Sequence, residues 1–185
     1  MIFEVLVSTI NLNGEINFAP FGIKRRGEFI YISPYIPSQT LENLSRSKCA
    51  VINYINDANF FVDCLIGNKK FKKEKCTKIS GYFLKDSISH DELIVKSSKK
   101  DKIRPTFKCK IVFSKTHKKY EGFNRSQFSI IEGCILATRV KFLSKKKIFK
   151  DLEYLSIAVE KTGGLEEKKS WQRIKKFINN EFKKK

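Results

Sequence analysis

Histidine is nearly missing from this chain, with His90 and His117 the two examples in 185 residues. A catalytic triad, a His-rich metal site and a histidine general base therefore have little material. Each histidine sits beside charged residues in an expected loop and is assigned to the surface. A GxGxxG fingerprint after a strand and a P-loop are also lacking, which disfavours dinucleotide folds and NTPases. The five cysteines, at 49, 64, 76, 109 and 134, are odd in number and show no CxxC spacing. That argues against a disulfide framework and a zinc site, so no metal is expected, and free thiols suit a reducing cytosol. No apolar run approaches the roughly 20 residues that span a bilayer. The opening MIFEVLVSTINLNGE carries Glu4 and lacks a basic start and a long apolar centre, unlike a signal peptide. The expectation is a soluble cytoplasmic protein with no membrane partner.

What the chain has in excess is positive charge, 38 Lys plus Arg against 19 Asp plus Glu, a formal net charge of +19. Such a balance raises the question of nucleic acid. The lysines fall in separate clusters, among them Lys69, Lys70, Lys72, Lys73 and Lys75, then Lys99, Lys100 and Lys102, and none interleaves with aromatics as RNA readers do. A solvated lysine-rich surface is the first reading and a nucleic-acid-binding module the second. Apolar residues reach 41%, with 16 Phe, so the chain can build a core, expected to be rich in rings.

Residues 2–10 alternate with a period of two, Phe3, Val5, Val7 and Thr9 on one face, which predicts a strand. Asn13-Gly14 predicts a tight hairpin turn into a second strand from Glu15 to Ile23. Pro20 and Gly22 predict that this second strand breaks, bulges, or leaves backbone groups free to meet something. Further strands are read at Glu28–Ile32, Cys49–Ile55 and Phe60–Ile66, with a short helix starting near Ser38 to Thr40. Residues 67–78 and 97–104 read as exposed basic connections. Short strands are read at Tyr82–Leu84 and Leu93–Val95, and a longer one at Thr106–Phe113. After about residue 121 the period changes to that of a helix. Phe128, Ile131, Ile135 and Phe142 form one stripe, Ile148, Leu152, Leu155 and Val159 a second, and Trp171, Ile174, Phe177 or Ile178, and Phe182 a third. Gly163-Gly164 closes the second helix and Glu166-Glu167 opens the third. The division is a barrel domain at 1–120 and a C-terminal helical region, a hairpin of helices, at 121–185.

The candidate chemistry is a phosphate site. Pro37-Ser38-Gln39-Thr40 at a helix start offers two hydroxyls and unpaired amides to an anion. The same pattern also serves as a plain helix cap. Beside it, Asn17-Phe18-Ala19-Pro20-Phe21-Gly22 offers backbone groups and apolar surface to a flat ring, an arrangement suited to FMN.

These motifs together carry a resemblance. Ser8-Thr9-Ile10-Asn11 through Asn17-Phe18-Ala19-Pro20-Phe21-Gly22, Ser38-x-Thr40-x-x-Asn43-Leu44 and Phe61-Val62-Asp63-Cys64 resemble the mainly archaeal family called domain of unknown function 447. So do Gly122-Phe123-Asn124-Arg125, Ile131-Glu132 and Val159-Glu160-Lys161-Thr162-Gly163-Gly164. The resemblance implies an α+β fold, an antiparallel split barrel of the flavin-reductase-like kind followed by helices, with FMN bound at the interface of a homodimer. Carried over by position, Asn17, Ala19, Pro20 and Phe21 line the isoalloxazine, and Ser38, Thr40 and Asn43 hold the phosphate and ribityl end. Asn124 and Arg125 add a further contact, the guanidinium suiting phosphate; a helix-start ion pair is the alternative for Arg125. No catalytic side chain is assigned.

Three functions stay open at this point. The first is an FMN-dependent oxidoreductase, or a flavin carrier, acting on an unknown small molecule, in which the cofactor supplies the chemistry and no side-chain acid or base is needed. A basic nucleic-acid-binding module on a barrel scaffold is the alternative. A dimer that has lost its cofactor is the third.

Overall fold

A computed structural model describes residues 1–184. The chain divides into two compact units, one of residues 1–55 and 70–120, the other of 56–69 and 121 onward.

The first unit is a closed six-stranded barrel. Strand β1 (Phe3–Ile10) turns through Asn13-Gly14 into β2 (Ile16–Arg26), with Gly14 at φ +83°, the region a tight turn demands and a side chain disfavours. Strand β3 (Phe29–Ile32), helix α1 (Gln39–Ser47) and strand β4 (Cys49–Tyr54) follow. Later come β5 (Lys73–Lys75), β6 (Tyr82–Leu84), β7 (Ser89–Lys99) and β8 (Thr106–Thr116). The barrel order is β1, β2, β3, β8, β7, β4, every pair antiparallel, while β5 and β6 make a separate two-stranded ribbon.

Alternation fills the barrel. Val5, Val7, Ile23, Ile30, Ile32, Ala50, Ile52, Leu93, Phe107 and Cys109 meet inside, and Leu44 of α1 joins them. Each such aliphatic side chain contributes about 1.5–3 kcal/mol on full burial. The interior is β-branched rather than ring-rich, contrary to the expectation from 16 Phe, because a six-stranded barrel is narrow and compact branched side chains fill it. Several rings lie elsewhere, including Phe18, Phe83 and, in the other unit, Phe61 and Trp171.

Two strands differ from what was read. Strand β2 neither breaks nor bulges, for β1 pairs with it in unbroken register from Phe3↔Ile23 to Ile10↔Ile16, with Pro20 opposite Leu6. The proline is tolerated because β2 gains its second neighbour, β3, only from Lys24 onward; before that it is an edge, where a missing amide costs no ladder bond. Strand β7 runs on to Lys99, into the stretch read as a connection, because β8 pairs with it that far. The segment 70–88, exposed over most of 70–78 and a strand at Tyr82–Leu84 as read, is fastened as a strap over the outside of the barrel. Phe71 packs edge-on against Phe18 at 5.3 Å, Ser8 Oγ donates to the Tyr82 carbonyl at 2.7 Å, and Leu84 N donates to Asn53 Oδ1 at 2.6 Å. This cover explains why β1 is buried on both faces from Val5 to Thr9.

The second unit is helical. Helix α2 (Asn59–Ile66) joins α3 (Arg125–Thr138), α4 (Lys145–Thr162) and α5 (Leu165–Lys183); the last three are the helices read from the apolar stripes after residue 121, and α2 is an addition to them. The strand expected at 60–66 is thus a helix: Gly67 at φ +83° closes it, Asp57 Oδ1 accepts from Asn59 N at its start, and Asp63 pairs with Arg173 of α5. The stripes of α4 and α5 are buried as spaced, in Ile148, Leu152, Val159, Trp171, Ile174 and Ile178. That of α3 is rotated, burying Ile130, Cys134, Leu136 and Ala137 and leaving Phe128 half exposed, while Phe142 lies beyond the helix end in solvent. Gly133 lets α3 approach α5, since a Cβ there would stand 2.6 Å from Trp171 Cζ3. Among the described residues no helix is long and apolar enough to cross a membrane.

Candidate functional site

The amino end of α1 is built by Ser38, whose extended backbone and side chain cap the helix, Oγ accepting from Leu41 N at 3.4 Å. Glu42 N bonds to the Ser38 carbonyl, which leaves the Gln39 and Thr40 amides with no acceptor within the helix. The helix end therefore carries the partial positive charge and the donors that an anion requires.

A set of amides and hydroxyls bolts this helix to the first hairpin. Asn17 Nδ2, at the start of β2, donates to Thr40 Oγ1 at 3.1 Å. Asn43 Nδ2 donates to Thr9 Oγ1 at 2.9 Å and Asn11 Oδ1 at 2.8 Å, while Gln39 Nε2 donates to Asn43 Oδ1 at 3.2 Å. Thr40 is 2% exposed and Asn43 1%. Buried polar groups of this kind are tolerated only when paired. Asn43 is thus a positioning residue, its amide occupied by β1 and α1. Thr40 accepts from Asn17, and its hydroxyl proton remains a donor at the helix end.

Along β2 the two-residue period puts Asn17, Ala19 and Phe21 on the face that also carries Ile23, with Phe21 packed on the core. Pro20 alternates to the opposite face and is exposed. Of the four residues expected around a ring, three therefore share a face and Pro20 does not. From Ile16 to Ile23 the strand has β1 on one side and no second barrel strand on the other. The open backbone read from the sequence exists, and its source is this edge rather than a break.

Asn124 and Arg125 lie in the helical unit. Asn124 caps α3, its Oδ1 accepting from Ser126 N at 2.9 Å and Ser126 Oγ at 2.7 Å, and its Nδ2 donating to the Thr162 carbonyl at 3.1 Å. Its polar atoms are committed to that cap. Arg125 is exposed at the first position of α3.

Sequence reasoning placed Thr9 and Asn11 in a motif and gave them no role; the signal was a polar residue following Val5 and Val7 on a strand's apolar face. It also misplaced a histidine. His90 is 1% exposed on β7, stacked on Phe83 and bonded to His117, beside the fully buried Glu92. Its neighbours Asp91 and Glu92 read as charge in a loop, whereas both are buried: Asp91 Oδ2 accepts from Tyr54 Oη at 2.8 Å and lies 3.6 Å from the Arg25 guanidinium. Among the described residues no group of three or more His, Cys, Asp or Glu is arranged to hold a metal.

Known structures share this architecture. An FMN-bound protein of Methanosarcina mazei from the DUF447 family superposes over 95% of this chain and 94% of its own, with a TM-score of 0.80 at 22% identity. A flavoredoxin from Methanosarcina acetivorans covers 63% of this chain and 69% of its own, TM-score 0.56 and 12% identity. A split-barrel protein from Shewanella frigidimarina covers 65% and 71%, TM-score 0.55 and 13% identity. The fold is accordingly that of a split barrel followed by helices. No curated protein matches the sequence. The N-terminal domain model of the protein of unknown function DUF447 matches residues 3–118 and its C-terminal model residues 124–176: the chain belongs to the DUF447 family.

Proposed function

We propose that the barrel binds FMN and that the protein is a flavin-dependent oxidoreductase, or a flavin-reductase-like carrier, acting on a small molecule in the cytoplasm. The reading rests on one observation: the amides of Gln39 and Thr40 and the Thr40 hydroxyl converge at the end of α1 that Asn17 ties to an open-edged strand. This fits the cofactor chemically, for an anionic tail meets helix-end donors while the edge at 17–21 presents amides and carbonyls to a ring that both donates and accepts. That a family member of the same fold is FMN-bound supports it. Ser38 and Thr40 then hold the phosphate, Asn17, Ala19 and Phe21 flank the ring, Pro20 fixes the backbone beside it, and Asn43 holds α1 in place. Dimerisation, with FMN at the subunit interface, belongs to the same reading.

FMN when bound supplies hydride or single-electron transfer. The chain's own part is binding, orientation and exclusion of water. The side chains that converge here, Ser38, Thr40, Asn17, Asn43 and Thr9, are hydroxyls and amides with no charge change near neutral pH, so they hold the ligand or position α1 rather than move protons.

The test is the absorbance spectrum and mass analysis of the purified protein, followed by FMN titration. Bound or avidly taken up FMN is expected, with Thr40→Val losing at least tenfold in affinity, Thr40→Ser close to wild type, and both folded by circular dichroism. Colourless protein indifferent to added FMN overturns the proposal.

A further inference from the structure

The strap at 70–88 is fastened to the barrel by a cluster centred on two buried side chains, Glu92 and His90. Glu92 is 0% exposed on the outer face of β7, and its carboxylate accepts three backbone amides of the strap, Thr77 N and Lys78 N at 2.6 Å and Ile79 N at 3.1 Å. His90, two residues earlier on the same face, places Nε2 at 3.4 Å from Glu92 Oε1 and Nδ1 at 2.7 Å from His117 Nε2. Phe83 of β6 lies flat on both rings, 4.1 Å from His90 and 4.8 Å from His117. Strap, β7 and the residue after β8 meet at this point, and none of it enters the proposed FMN site.

The ring-to-ring bond constrains the protons. A bond between two imidazole nitrogens needs one of them bare. With His90 donating from Nε2 to Glu92, its Nδ1 accepts from His117. One added proton is accommodated on the free Nδ1 of His117 with the bond unchanged, or on His90 with the donor between the rings reversed. A second places hydrogens on both facing nitrogens, and the bond must open.

We propose that His90 and His117 form a proton-operated latch: neutral rings keep the strap closed on the barrel, and proton uptake releases it. The groups facing the pair are Glu92 and Asp91 on β7, Lys115 on β8, Lys118 after it and Glu74 on β5. Cys76 of the strap faces Glu92. Glu92, Asp91 and Glu74 favour protonation; Lys115 and Lys118 oppose it. Burial is the largest effect on both rings and disfavours charge, so both titrate below the ordinary histidine range. The Phe83 face gives a cation a weak attraction that falls short of this cost.

The sign follows. A base whose folded pKa is depressed stabilises the closed form above the free-histidine pKa of about 6.5, and that stability drains away as pH falls below it. Release frees Phe71, Tyr82 and Leu84 together and uncovers the outer face of β1 and β4 at Ser8 and Asn53. It also mobilises Lys70, Lys72, Lys73, Lys75, Lys78 and Lys85.

Hydrogen exchange at the Thr77, Lys78 and Ile79 amides between pH 7.5 and 5 tests this, corrected for intrinsic rates and referenced to the β1–β2 ladder. Protection of the strap is expected to fall by about tenfold per pH unit for each proton taken up, while the ladder stays protected. His117→Gln keeps a donor toward His90 and cannot titrate, so its slope should be at least halved whatever its absolute protection. Strap protection that is flat with pH, that falls only together with the ladder, or that is equally steep in His117→Gln overturns the latch.

Discussion

The two units bury very different chemistry. In the barrel unit the strands carry Thr9, Asn53, His90, Asp91 and Glu92 into places shut off from solvent, each tied by hydrogen bonds to a helix, a strap, a neighbouring strand or, for His90, the residue after β8. In the helical unit the buried polar residues include Ser126, Ser129 and Ser170, and the packing is apolar, set by close approach at Gly133. Around its apolar core the barrel unit adds buried polar pairs, while the helices pack mainly by shape. Mutations should therefore act through unpaired donors in one and through sterics in the other.

The sharpest way to break this contrast is Glu92→Ala, which leaves three strap amides without acceptors. The strap amides lie at part-buried residues, so the barrel unit should lose about 1–3 kcal/mol in denaturant unfolding. Glu92→Gln should recover part of that, since its one carbonyl oxygen can accept fewer of them. If Glu92→Ala is harmless, the buried polar pairs add nothing to the barrel unit. Gly133→Ala is the matching strike at the helices. Its methyl group would enter the Trp171 ring, and the cost expected of overpacking is about 1–3 kcal/mol, read as a lower Tm together with altered tryptophan fluorescence. Unchanged fluorescence would show that α5 does not pack as described.

Smaller effects sharpen the comparison. Ser38→Ala removes a helix cap worth about 1 kcal/mol, and its effect on FMN affinity should exceed its effect on stability. A property common to both units is a set of thiols raised by burial: Cys109 in the barrel and Cys134 among the helices are both pushed up to about 12. A thiol whose folded pKa is raised stabilises the fold below its ordinary value near 9, and that contribution is lost as pH climbs from there toward 12. Both units should weaken above pH 9, and a disulfide reagent at pH 8 should leave Cys109 and Cys134 unlabelled until denaturant is added.

Legibility differed between the units for physical reasons. The β1–β2 hairpin was readable because alternation and Asn13-Gly14 are local signals that the fold kept. Helix α2 was not. Its run Phe60-Phe61-Val62-Asp63-Cys64-Leu65-Ile66 has no clear period, and a short apolar stretch reads equally as a buried strand; packing against α3 and α5 and the Asp63–Arg173 pair decided it. The cap at Ser38 and the polar signals at Asn17, Thr40 and Asn43 were visible, while the bond joining Asn17 to Thr40 spans 23 residues and needed the fold. His90 was invisible as a buried group because its burial is imposed by the strap, which lies next to it in space through the β6 hairpin and not through any local pattern.

Local sequence by itself determined the strand alternation, the first turn, the α1 cap and the spacing of the last two helices, because each depends on neighbours within a few residues and on backbone preference. Tertiary structure alone decided that β2 runs unbroken through Pro20 as an edge, that 59–66 is helical, that α3 turns its Phe128 side outward, and that the histidines meet beneath a strap. Those outcomes depend on which distant surfaces are available to be covered, and a buried polar group is stable only where the rest of the chain brings it a partner.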